Sequence, residues 1–326
     1  GGLIIPNFNP KNMHFCFIHF SKHFFSTFFI LFYCTILHAQ APAVSTGTIK
    51  HFEKFQSQYV DARNVDVWLP EGYDYVKRYS VLYMHDGQML FDASLAWNKQ
   101  VWEVDEILGG LLKGSKIKDC IVVGIWNSEG NRDIDYIPQK PFESLPVAVQ
   151  DTLLKVKKPD GSPAFSGKVQ SDKYLKFLVT ELKPFIDKNF NTLTGRENTF
   201  IAGSSKGGLI SLYAICEYPL LFGGAACLST HWPGIYTAEK NPIPGAILQY
   251  MKKNLPSPKT HRIYFDFGTE TLDTLYEQFQ IKADLIMRSK GYTGRNWITR
   301  KFPGEDHSET AWRKRFSIPV VFLLGK

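Results

Sequence analysis

The sequence predicts an α/β protein built on one mostly parallel central sheet with helices on both faces, and three observations carry that reading. Apolar, β-rich runs recur along the chain with helical patterns between them, the alternation that links parallel strands through crossover helices. Several of those runs are short and apolar throughout, which suits strands covered on both faces. At 326 residues, 44% hydrophobic and 14% aromatic, the chain can bury a large core.

Taken in order, the strand candidates are Val65 to Leu69, Val81 to His85, Ile121 to Trp126, Thr199 to Gly203, Gly224 to Ser229, Arg262 to Phe267 and Trp297 to Phe302. The helix candidates are Val101 to Leu112, Ser171 to Phe190, Gly207 to Tyr218, Ile243 to Lys253, Leu275 to Lys290 and Ser308 to Leu324. No internal repeat and no Gly-rich dinucleotide fingerprint is visible, so residues 42–326 read as a single domain. One stretch breaks the rhythm. Between Asn127 and Gln170 the chain is rich in Pro, Gly, Lys and Asp and longer than an ordinary connection, and it reads as a long loop bordering the functional site.

Residues 1–41 differ in kind from the rest. They hold no acidic residue, and from Met13 a short segment with Lys22 and several His leads into the apolar run Phe24 to Leu37 and then Ala39-Gln40-Ala41. That is the order of a secretory signal peptide cleaved after Ala39 or Ala41, and it predicts a secreted or periplasmic protein without stable membrane association. The apolar run is shorter than the ~20 residues of a membrane span. Gly1 to Asn12 precede the candidate start methionine and read as an upstream extension.

Cleavage after Ala41 removes two lysines and no acid, taking the formal charge from +7 to +5. The remaining bases are scattered rather than gathered into runs, which argues against a nucleic-acid partner. Cys120, Cys216 and Cys227 remain, each inside an apolar stretch, and they read as buried free thiols rather than a disulfide framework.

The most informative segment runs strand, tight turn, helix from Thr199 to Tyr213. Within it, Gly203-Ser204-Ser205-Lys206-Gly207 fits Gly-x-Ser-x-Gly, the nucleophile elbow of α/β hydrolases. Small neighbours let strand and helix approach closely, the Ser205 hydroxyl stands above the sheet, and the Lys206 N–H lies at a helix N-terminus where an oxyanion would form. A serine needs a base and an orienting acid, which in this fold follow it in chain order. His307 comes just after a strand candidate and at the mouth of a helix, whereas His51, His231 and His261 lack that context. Two acids stand at the end of the strand between nucleophile and base, Asp273 and Glu270, with Asp273 preferred and Asp266 still within the strand. The second oxyanion donor is expected from the loop after Val81 to His85, at the backbone N–H of Asp86, Gly87 or Gln88.

These segments together resemble the Putative esterase family of α/β hydrolases, the group that includes esterase D, enterobactin-type siderophore esterases and feruloyl or acetyl-xylan esterase domains. Further pieces of the likeness are Leu82 to Gln88 with Leu90-Phe91-Asp92, Trp102 to Glu106, Ile121 to Ile125, Arg132 with Tyr136 and Pro138, Phe177-Leu178 with Glu181 to Pro184, and Phe302 to Trp312. The resemblance implies a serine esterase with Ser205 as nucleophile and His307 as base, working through an acyl-enzyme without metal or organic cofactor. With the leader, it points to a siderophore lactone or an acylated saccharide as substrate. One departure is Lys206, where such proteins often carry Met; a cation beside the oxyanion site would either favour an acidic substrate or point to solvent, and the second is the expectation. Two other readings stay open on the residues alone: an acyltransferase using the same nucleophile, and a binding protein that keeps the fold without turnover.

Overall fold

The computed structural model describes Gly2 and residues 41–326 other than 129 and 238, so the leader read over residues 1–41 lies, but for positions 2 and 41, outside the described residues. Eight strands form one sheet: β1 (Thr48–Phe55), β2 (Arg63–Leu69), β3 (Ser80–His85), β4 (Cys120–Ile125), β5 (Thr199–Ser204), β6 (Gly224–Leu228), β7 (Arg262–Gly268) and β8 (Trp297–Phe302). Their order is β1-β2-β4-β3-β5-β6-β7-β8. β2 lies antiparallel to both β1 and β4, and every other neighbouring pair is parallel.

Side chains of the inner strands alternate between two apolar layers. Val81, Tyr83, Ile121, Val123 and Ile201 pack on one face, with helices 171–189, 206–217 and 243–254 over them. Leu82, Met84, Val122, Phe200 and Ala202 pack on the other, under helices 104–113, 309–315 and 317–324. Both faces are therefore covered, which is why these strands read as unbroken apolar runs. Cys120, Cys216 and Cys227 are buried free thiols, and burial pushes the Cys120 thiol up to about 12.

The structure differs from the sequence reading at four places, each with a physical reason. Strand β1 was not expected, because its alternating polar residues belong to an edge strand packed on one side only. The 127–170 stretch is not an open loop: it folds into short helices at Arg132–Tyr136, Gln139–Glu143 and Val147–Leu153, then a turn bridged between Lys157 and Pro163. The helix expected over Ser171 to Phe190 carries a π turn at Leu178–Leu182, where Pro184 has no N–H to offer the Thr180 carbonyl. The last helix divides at Phe316, where Pro319 likewise leaves the Arg315 carbonyl without its helical donor.

Parallel strands bring their C-terminal ends to one edge of the sheet. Asp86 after β3, Ser205 after β5, Ser229 after β6, Asp273 after β7 and His307 after β8 all leave from that edge.

Candidate active site

Ser205 stands between β5 and helix 206–217 with φ 57° and ψ −122°, a backbone conformation that is costly for any residue but glycine. The turn is held from three sides. The Ser205 N–H donates to the Leu228 carbonyl at 2.9 Å, and its carbonyl accepts from Gly208 N at 3.0 Å and His231 N at 3.1 Å. A Cβ at Gly203 would come within 2.8 Å of the Gly207 backbone, so the glycine is what allows strand and helix to meet.

His307 and Asp273 meet at 2.5 Å, Nδ1 to Oδ1. An ionised carboxylate only accepts, so Nδ1 carries the proton and Nε2 is left as the basic nitrogen. The ring is fixed by edge-on packing against Trp312 (5.0 Å) and Tyr276 (5.7 Å), and the His307 N–H donates to Thr271 Oγ1 at 2.9 Å. Asp273 is fully buried, whereas Glu270 is exposed and its carboxylate, among the described residues, accepts a hydrogen bond only from Thr269, at 3.4 Å. Of the two acids read from the sequence, Asp273 alone reaches the imidazole.

Tyr276 links the two sides of the site. Its hydroxyl lies 2.7 Å from His231 Nδ1, and its ring packs edge-on against His307 at 5.7 Å. Burial pushes the Tyr276 phenol well above its ordinary range and the His231 imidazole well below, so both are neutral. His231 therefore supports the turn as an uncharged residue. Neither residue was singled out from the sequence as part of the site; Tyr276 follows Asp273 by one turn of 3-10 helix, which is the signal that could have found it.

The oxyanion expectations divide. The backbone N–H groups of Lys206, Gly87 and Gln88 have no hydrogen-bond partner among the described residues and remain available as donors. That of Asp86 does not, since it is directed at the Tyr136 hydroxyl at 3.4 Å. Asp86 instead offers its carboxylate to Arg132, at 2.7 and 2.8 Å, and to Asn127 Nδ2, at 2.6 Å. Burial opposes that charge, but the Arg132 guanidinium more than offsets it and holds the carboxyl below its usual range. His85 is buried and bonded to the Tyr174 hydroxyl at 2.8 Å, and burial lowers it to about 3.

Lys206 corrects the sequence reading most sharply. Its side chain does not point to solvent: the residue is 4% exposed and its Nζ lies 2.5 Å from Asp133 Oδ1. Lys158 approaches the same carboxylate at 3.2 Å. Burial lowers the Lys206 ammonium to about 8 against the opposing pull of Asp133. Among the described residues no group of three or more His, Cys, Asp or Glu could hold a metal ion. Neither Ser205 nor His307 lines the cavities of 480 Å³ beside Tyr73 and 660 Å³ beside Arg262.

Residues 156–321 match the family model described as Putative esterase. The chain belongs to that family. The family places this esterase-family protein among the carboxylic-ester hydrolases. It is 24% identical over 271 residues to the uncharacterized protein YbbA of Bacillus subtilis (strain 168), covering 81% of this chain and 93% of that one. A ferulic acid esterase of Anaeromyces mucronatus superposes with TM-score 0.60 at 23% identity, covering 87% of this chain and 92% of the other. An enterochelin esterase of Shigella flexneri superposes with TM-score 0.57 at 18% identity, covering 87% of this chain and 60% of the other. At these identities the likeness to the solved structures is one of fold, and the esterase-family chain has the α/β-hydrolase fold.

Proposed function

We propose that this esterase-family chain hydrolyses carboxylic esters through a Ser205–His307–Asp273 triad and an acyl-enzyme. The observation that carries the reading is the 2.5 Å contact between Asp273 and His307 Nδ1 at the same sheet edge as the strained Ser205 turn. In this mechanism Ser205 Oγ attacks the acyl carbonyl and passes its proton to His307 Nε2, while Asp273 stabilises the imidazolium that forms. The N–H groups of Lys206 and of Gly87 or Gln88 receive the developing oxyanion. His307 then returns the proton to the departing alcohol, and a water activated by the same nitrogen releases the acid and restores Ser205.

The substrate class we propose is a siderophore lactone or an acylated saccharide. Support comes from the names of the relatives, a ferulic acid esterase and an enterochelin esterase. The half-exposed Tyr236 adds to it, lying 6.3 Å from His231 and offering an aromatic face beside the elbow. We further propose export of the chain, on the strength of the leader pattern over residues 1–41. A fluorophosphonate probe tests the nucleophile: covalent labelling mapped to Ser205 is the expected result. Labelling of another serine, or none, would remove the serine mechanism.

A further inference from the structure

We infer that Ser229 is the positioning residue that fixes the Asp273 carboxylate and, through it, the His307 ring; the inference deepens the triad reading above and rests on it. Ser229 follows β6 and is fully buried. Its Oγ has three partners: Asp273 Oδ2 at 2.6 Å, Trp312 Nε1 at 2.9 Å and Arg315 Nη2 at 2.8 Å. An indole N–H and a guanidinium N–H can only donate, so both hydroxyl lone pairs are taken and the hydroxyl proton has one destination, Asp273 Oδ2. A serine hydroxyl ordinarily rotates to suit its surroundings. Here its direction is dictated by chemistry alone.

The two oxygens of Asp273 thereby take separate tasks. Oδ2 accepts from Ser229 Oγ and from Gly268 N–H, the latter at 2.5 Å, which leaves Oδ1 to face the imidazole. Ser229 is itself anchored: its N–H donates to Asp266 Oδ1 at 3.1 Å, the same oxygen that accepts from Arg315 Nη2 at 3.0 Å. Asp266 thus balances the Arg315 charge, so that Arg315 orients the serine without placing an uncompensated cation beside Asp273. Ser229 adopts φ 39°, a left-handed conformation that disfavours a β-branched side chain. Charged and titratable groups beside the Asp273–His307 pair include Tyr276, His231, Asp266 and Arg315, with Asp306 next to His307 in the chain and accepting from Ser308 Oγ.

The hydroxyl draws charge from Asp273. Its removal leaves more negative charge facing the ring, and the imidazolium is held more tightly. The test compares the parent with Ser229→Ala and Ser229→Gly, the glycine form tolerating the positive φ without strain. Titration of the His307 ring followed by NMR needs no substrate, and in both variants the imidazole is expected to titrate about half a unit or more higher than in the parent. On an ester substrate, kcat falls about 10- to 100-fold, the scale of one hydrogen bond to a charged group, with KM within about twofold. An unmoved His307 titration overturns the inference, whatever happens to kcat. A parent that hydrolyses no ester counts against the hydrolase reading instead, and the NMR comparison still decides the role of Ser229.

Discussion

Lys206 and Asp133 form an ion pair at 2.5 Å that ties the residue after Ser205 to the 127–170 segment. Their side chains are 5% and 11% exposed, so neither charge is solvated in the usual way. Arg132 on Asp86 ties the same segment to the loop after β3, and Lys158 on Asp133 makes an ion pair within the segment. Removal of the carboxylate alone leaves a buried ammonium uncompensated. Asp133→Ala is therefore expected to lower stability by about 3–5 kcal/mol, measured by denaturant unfolding. A loss under about 1 kcal/mol would mean that the amine escapes to water in the variant.

The same amine makes stability depend on pH. Its folded-state pKa, about 8, lies below the ordinary lysine value of 10.5. Between those limits the unfolded chain binds more protons than the folded one, so this group makes stability rise with pH across that window. The melting temperature of the parent relative to Lys206→Met should climb from pH 8 to about 10.5. A constant difference across the window contradicts the depressed pKa.

Asp273 and Glu270 stand three residues apart, yet the triad reading gives them opposite fates. Asp273→Asn forces the wrong imidazole tautomer, and kcat is expected to fall by about 10³- to 10⁴-fold. Glu270→Gln touches an exposed group and should leave kcat within about twofold. Steady-state kinetics of the two variants on one ester separates them, and the reverse ranking would reassign the acid.

The Ser205 backbone carries strain that a glycine would release. With φ 57° and ψ −122° at this position, Ser205→Gly is expected to raise stability by about 1 kcal/mol while abolishing turnover. Thermal unfolding of the variant checks this. A variant less stable than the parent would mean that the serine side chain contributes more to the fold than its backbone costs.

The fold was legible because strands covered on both faces announce themselves as apolar runs, and six of them, β2 to β7, stand near their observed places, with the partly exposed edge strand β8 as a seventh candidate that also stands near its own. Edge strand β1, half polar, gave no such signal. Ser205, His307 and the Asp273–Glu270 pair were legible from motif and chain order, but the choice between the two acids depends on the 3-10 turn at Thr271–Leu275, which buries Asp273 and leaves Glu270 outside. Ser229, His231 and Tyr276 were not legible as site residues. A buried hydroxyl or a neutral histidine looks like any core polar group until its partners, remote in sequence, are known. Lys206 was misread for the same reason, since its partner Asp133 lies 73 positions earlier in a stretch with no regular pattern.

Hydrolysis of short p-nitrophenyl esters by the parent and by Ser205→Ala tests the serine-esterase reading most directly. Turnover by the parent, reduced about 10⁴-fold or more in the alanine form, is the expected result. Equal rates in the two forms, or no turnover by the parent on p-nitrophenyl, siderophore, feruloyl and acetyl-sugar esters alike, would contradict it.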